Sequence, residues 1–132
     1  MKELVIDAEN CVAGRVASSA AKLLLQGKAV KIVNAEKALV SGNPKSTLDR
    51  FKIKTGRGDP LHGAFYPKRP ERILKRMVRG MIPYKKPMGK KAFKALRVYI
   101  SVPEELKGRQ MQKVFEKKLE ASITLEKLSQ RL

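Results

Sequence analysis

The chain has 132 residues, 42% of them apolar, few aromatics, no Trp and a formal net charge of +18. That length suits one domain with a real core, and the charge makes the chain repel itself unless a polyanion is present. No apolar run nears the roughly 20 residues of a membrane span, and one Cys with one His supplies neither an internal disulfide nor a zinc site.

The N-terminal MKELVIDAEN carries acids where an export signal needs an apolar stretch, so the expected compartment is the cytosol. LVIDA is a short apolar run with a β-branched pair, as in a buried strand. After ENCVAG, the Ala- and Leu-rich RVASSAAKLLLQG predicts a helix, with Gly27 as its stop. KAVKIVNA is a second strand and KALVSG could be a third. Strand, helix, strand at this spacing favours a right-handed crossover and a parallel sheet. NPKSTLDRFKIK predicts a helix capped by Asn43 with Pro44 in its first position.

TGRGDPLHGAFYP is a loop by its Gly and Pro content. PERILKRMVRG is a helix opened by Pro70 and closed near Gly80, MIPYKKPMG is irregular, and KKAFKAL is a short helix. RVYISV is the last clear strand, ending at Pro103. Residues 104–132 are a weakly patterned helical tail, ending in ITLEKLSQRL with Ser122 or Thr124 as its cap. The sequence contains no repeat, low-complexity tract or linker, so residues 1–132 are expected to form one α/β domain.

Charge is concentrated in the middle. Residues 68–97 hold twelve bases against one acid, Glu71, whereas the flanking segments are near balance. On a helical wheel from Ile73, the apolar residues Ile73, Met77, Met81, Leu74 and Val78 occupy an arc of about 140°. Lys75, Arg79, Arg72 and Arg76 occupy a separate arc of about 100°. A solvated helix face usually mixes signs, because opposite charges at i, i+4 stabilise a helix and like charges oppose it. This face has no acid, so contact with a polyanion outweighs plain solvation. A membrane-surface helix would carry aromatics beside its bases, and this one has none.

The basic loop IPYKKPMGKK continues the charge through a backbone made irregular by Pro83, Pro87 and Gly89. No helix-turn-helix, zinc finger or RRM aromatic signature is present. Shape and backbone recognition of a folded RNA is therefore favoured over base reading in a DNA groove. SGNPKST lacks the GxxxxGK[ST] spacing of a phosphate loop, because Pro44 stands where the second Gly belongs. Lys45 at that helix start could hold a backbone phosphate, or the helix could simply be capped. His62 could contact RNA from its Gly/Pro loop or merely pack there. No carboxylate or nucleophile is placed to make His62 catalytic, and the acids are scattered. The expectation is no enzyme, cofactor, metal site or small-molecule substrate.

Three quarters of the chain, from about Val5 to Pro103, resembles a known family. VIDAENCVAGRVAS, VNAEKALVSG, FYPKRPERILKRMVRGMIPYKK and GKKAFKALRVYISVP occur in the order found in the universal large-subunit ribosomal protein L-thirteen, archaeal type. The resemblance implies a three-layer α/β/α fold around a mostly parallel four-stranded sheet. It implies large-subunit (23S-type) ribosomal RNA and neighbouring large-subunit proteins as partners, a place in the cytoplasmic large subunit, and an early role in its assembly. By position it carries RNA contact to Arg69, Arg72, Arg76, Arg79, Lys85 and Lys86, with Arg15 of GRVAS as a further candidate. Lys68, Lys75, Lys90 and Lys91 complete the expected basic surface. Met88 departs from the family pattern, where Arg typically precedes that Gly. Two other readings are a free RNA-binding regulator or assembly chaperone using the same surface, and a nucleotide-dependent enzyme, which the missing phosphate loops disfavour.

Overall fold

The computed structural model describes residues 3–57, 61, 66–113 and 122–132. Strand β1 (Glu3–Asp7) leads to helix α1 (Ala13–Leu25) and returns in strand β2 (Ala29–Val33). β1 and β2 pair in parallel from Glu3 opposite Ala29 to Asp7 opposite Val33. The return is tight because α1 ends in a Schellman motif: Lys28 N–H donates to Leu23 O and Gly27 N–H to Leu24 O, with Gly27 at φ +86°.

Two further parallel strands complete the sheet. Strand β4 (Leu96–Val98) pairs with β2, and β5 (Gln112–Lys113) pairs with β1, giving the order β4-β2-β1-β5. The expected α/β class with a four-stranded parallel sheet is what forms. Successive strand residues face opposite ways. Ile6, Val30, Ile32 and Leu96 join the large core under the helices, with Val16, Ala17, Ala20 and Leu24 of α1. Val5 and Val33 turn to the other face and pack with Leu106 from the 3-10 turn Glu104–Leu106 and with Tyr99, Val102 and Met111.

The third expected strand does form, as β3 (Leu39–Ser41), but outside this sheet. It pairs antiparallel with β6 (Ser122–Thr124). Asn34 is the reason the chain leaves the sheet, because it takes a left-handed conformation at φ +56° and starts the 3-10 turn Ala35–Lys37. Strand β4 is likewise shorter than RVYISV: beyond Val98 the backbone still bonds to its neighbours, with Tyr99 N–H donating to Ile32 O, but Ser101 at φ +59° ends the run. The tail holds the 3-10 turn, β5, β6 and the helix α5 (Leu125–Arg131), so it is more mixed than a helical reading suggests. Thr124 is the α5 cap, its Oγ1 accepting from Lys127 N–H at 3.3 Å.

Candidate nucleic-acid interface

Helix α2 (Pro44–Thr55) forms as the Asn43-Pro44 pair predicts, with Asn43 Oδ1 accepting from Lys45 N–H at 2.9 Å. Helix α3 (Pro70–Arg79) opens on Pro70, a residue with no N–H to leave unsatisfied there. Its apolar arc is buried as the wheel requires: Ile73, Leu74 and Val78 are sealed from solvent, and the helix packs on α1, β4 and α5. Met81 is the exception. The helix stops at Arg79, the wheel loses its register, and Met81 is exposed while Ile82 takes the buried place.

The opposite face carries the bases, yet they are not loosely solvated. Arg72 is exposed, while Lys75, Arg76 and Arg79 each lie over an aromatic ring. Lys75 Nζ is 5.2 Å from the centre of Phe93, Arg76 Cζ is 6.0 Å from Tyr66, and Arg79 Cζ is 4.2 Å from Tyr84. Such contacts orient a cation without neutralising it. Among the described residues no carboxylate pairs with these four bases. The single acid of the segment, Glu71, instead accepts from Arg69 Nε at 2.9 Å.

Past Gly80 the chain makes tight turns, with Tyr84 N–H donating to Ile82 O and Lys86 N–H to Pro83 O. Helix α4 (Pro87–Lys94) follows, opened by Pro87 three residues earlier than expected. This turn closes an open groove of about 730 Å³. Met77, Ile82 and Pro83 contribute apolar surface, while Lys54, Arg76, Arg79, Lys85 and Lys86 supply five cations and Tyr66 and Tyr84 two rings. No acid lines it. Burial, with Arg50 and Arg57 nearby, holds the Lys54 ammonium below the ordinary lysine range, and burial raises the Tyr66 phenol. A charged group that burial and like charges disfavour is one that an incoming anion would relieve.

Of the expected contact residues, Arg76, Arg79, Lys85 and Lys86 meet in this groove. Lys90 lies beside it, sharing a second cavity with Arg79, Tyr84, Phe93 and Lys94. The others are placed apart. Lys91 borders a small apolar pocket with Leu24, Leu25 and Met88. Lys68 is exposed and its carbonyl accepts from Ser129 Oγ at 2.6 Å. Arg15 is exposed on the first turn of α1, and Lys45 on that of α2. The Lys45 N–H is committed to the Asn43 cap, which leaves its ammonium as the group able to meet a phosphate. His62 lies outside the described residues. Sequence reasoning did not single out Lys54, Tyr66 or Tyr84 for the site. The one available signal was Tyr84 set directly before two lysines; Lys54 and Tyr66 arrive only through tertiary packing.

A family model described as Ribosomal protein L13 matches residues 1–105. The large ribosomal subunit protein uL13 of Archaeoglobus fulgidus is 46% identical over 116 residues, 88% of this chain and 74% of that protein. Its namesake in Methanosarcina barkeri is 50% identical over 104 residues, covering 78% and 74% of the two chains. The Thermoplasma volcanium protein of the same name is 40% identical over 131 residues, 97% of this chain and 96% of its own. With the family model covering most of the sequence and these relatives aligned along it, the chain belongs to the ribosomal protein L13 family, whose members are structural and non-enzymatic.

Proposed function

We propose that this chain is a structural constituent of the large ribosomal subunit in the cytoplasm, a single α/β domain that binds large-subunit (23S-type) ribosomal RNA and supports early subunit assembly beside neighbouring large-subunit proteins. The observation that carries the RNA reading is the geometry of α3. One face is sealed into the core, and the other holds Arg72, Lys75, Arg76 and Arg79 outward with no acid paired to any of them among the described residues. Lys85, Lys86 and Lys90 extend that surface through the turn and into α4, while Lys91 offers a separate cation beside the end of α1. Binding would be driven by release of counterions from phosphates together with shape fit. It would also stabilise a self-repelling fold by mass action.

The experiment is a titration of large-subunit RNA with the protein at two salt concentrations. With roughly six to ten phosphates engaged, affinity is expected to fall about 10³–10⁵-fold between about 50 and 200 mM salt. A flat response would remove the electrostatic mechanism. Co-sedimentation with large subunits after a high-salt wash tests residence: near-stoichiometric retention supports a ribosomal constituent, and loss at modest salt supports a free regulator or assembly chaperone.

A further inference from the structure

We propose that the groove between α3 and the 81–86 turn receives one extrahelical nucleotide of the bound RNA, its base stacking on the Arg79–Tyr84 platform and its phosphate meeting Lys85, Lys86 and Lys54. The proposal rests on the RNA-binding reading and assigns the class of RNA structure that one part of the surface selects.

Shape is the first reason. A continuous A-form helix offers a protein its backbone and shallow minor groove, with its bases stacked inside. The exposed face of α3 suits that partner. The adjoining groove does not, because it is concave, and its volume of about 730 Å³ lies within the range of small-molecule sites. A nucleotide that leaves the helix has the size and shape to enter such a groove.

Chemistry is the second. The half-buried Met77 and Pro83 and the exposed Met81 would lose contact with water if a base covered them, and phosphate gains nothing from them. The Arg79 guanidinium lies 4.2 Å from the Tyr84 ring centre, and Tyr84 remains 38% exposed. Phe93 braces Tyr84 edge-on at 5.7 Å, so the ring is held in place before any ligand arrives. Aromatic rings and guanidinium planes are the surfaces on which splayed-out RNA bases stack. Lys54, Lys85 and Lys86 bring charge to the same groove, where the sugar-phosphate of that nucleotide must enter and leave. An acidic peptide would use these cations but would leave the apolar and aromatic surface uncovered.

The test compares two synthetic RNA duplexes of about 20 base pairs, alike except that one carries a single unpaired nucleotide. The wild-type protein is expected to bind the bulged duplex roughly 5- to 150-fold more tightly, the range of one base–aromatic stack. Tyr84→Ala is expected to bring that ratio close to one, and Tyr84→Phe, which keeps the ring, to preserve it. Salt-dependent binding of both duplexes with equal affinity would overturn this proposal and leave the RNA reading standing. Failure to bind either duplex or large-subunit RNA would overturn both. Binding of free AMP in the groove as tight as that of the bulged duplex would make it a small-molecule site and overturn the proposal. The wild-type comparison decides the matter even if the alanine variant folds poorly.

Discussion

Gly89 sits so close to Pro83 that a Cβ placed on it would lie 1.8 Å from the Pro83 carbonyl oxygen. The obstacle is backbone, which cannot rotate aside, and it belongs to the turn that shapes the groove. Gly89→Ala is therefore expected to destabilise the protein by at least about 1–3 kcal/mol, the usual cost of overpacking. It should also weaken RNA binding by displacing Lys85 and Lys86. Gly80→Ala is the control. Its backbone is right-handed at φ −69°, and the nearest atom to an added Cβ would be 3.6 Å away. A neutral effect, or a gain of up to about 1 kcal/mol, is expected there. Denaturant midpoints for the two variants, with RNA titrations beside them, check both; equal midpoints would show that the turn yields.

The parts of this fold legible in the sequence are those whose signal is local. The separate arcs of Ile73, Leu74 and Val78 and of Arg72, Lys75, Arg76 and Arg79 follow from a period of 3.6, and they hold until Gly80 ends the helix. The parallel pairing of β1 and β2 follows from the length of the crossover between them. Pro87 carries the same helix-opening signal as Pro44 and Pro70, so the start of α4 is legible in the sequence. The partner of β3 was not readable, because pairing with Ser122–Thr124 spans some eighty residues and has no local signature. The groove follows the same logic. Its cations from α3 and the turn are visible in the sequence, while Lys54 from α2 and Tyr66 from the irregular segment before α3 join them only through the fold.

Asn34 and Ser101 are both left-handed, at φ +56° and +59°, and they meet where Asn34 N–H donates to Ser101 O at 3.2 Å. The Asn34 side chain also donates to Asp7 Oδ1 at 3.0 Å, tying the ends of β1 and β2 together. Asn34→Ala should lose that bond and strain the backbone, costing about 2–3 kcal/mol in total. Asn34→Gly removes the strain and retains only the loss of the bond, so about 1 kcal/mol is expected. If urea denaturation finds the two variants equally destabilised, the left-handed backbone at this turn contributes nothing.

The carboxylate of Glu3 is held below the ordinary value of about 4.5, first by hydrogen bonding to Arg109 and then to Lys31. Arg109 Nη1 is 2.7 Å and Lys31 Nζ 3.1 Å from Glu3 Oε1, so the group joins β1, β2 and the segment leading to β5. A depressed folded-state value means that the unfolded chain takes up the proton first as pH falls. The contribution of Glu3 is thus fully present above about pH 4.5 and is lost as pH drops through the lower folded value. Thermal melts of Glu3→Gln and wild type should differ at neutral pH, with wild type the more stable, and converge below that window. Because all three side chains are partly open to solvent, about 1 M salt should also narrow the gap. A gap that persists unchanged at pH 2 would show that the carboxylate charge is not what stabilises the contact.

Arg72, Arg76 and Arg79 separate the two roles of α3, because the burial that holds the helix lies entirely on its other face. Replacing all three with Gln keeps most of each side chain's length and removes the charge. Repulsion between Arg72 and Arg76, and between Lys75 and Arg79, would be relieved by about 0.2–0.5 kcal/mol for each pair. The lost stacking of Arg76 on Tyr66 and of Arg79 on Tyr84 would offset that gain, so stability should stay within about 1 kcal/mol of wild type. RNA affinity has no such compensation. A charge-assisted hydrogen bond contributes about 1.5–3 kcal/mol, so binding should weaken on the order of 100-fold or more. The slope of log K against log salt should become shallower by about three, one for each phosphate contact removed. A triple variant that loses its fold while its remaining folded fraction binds RNA as tightly as before would mean that the basic face serves the protein's own structure.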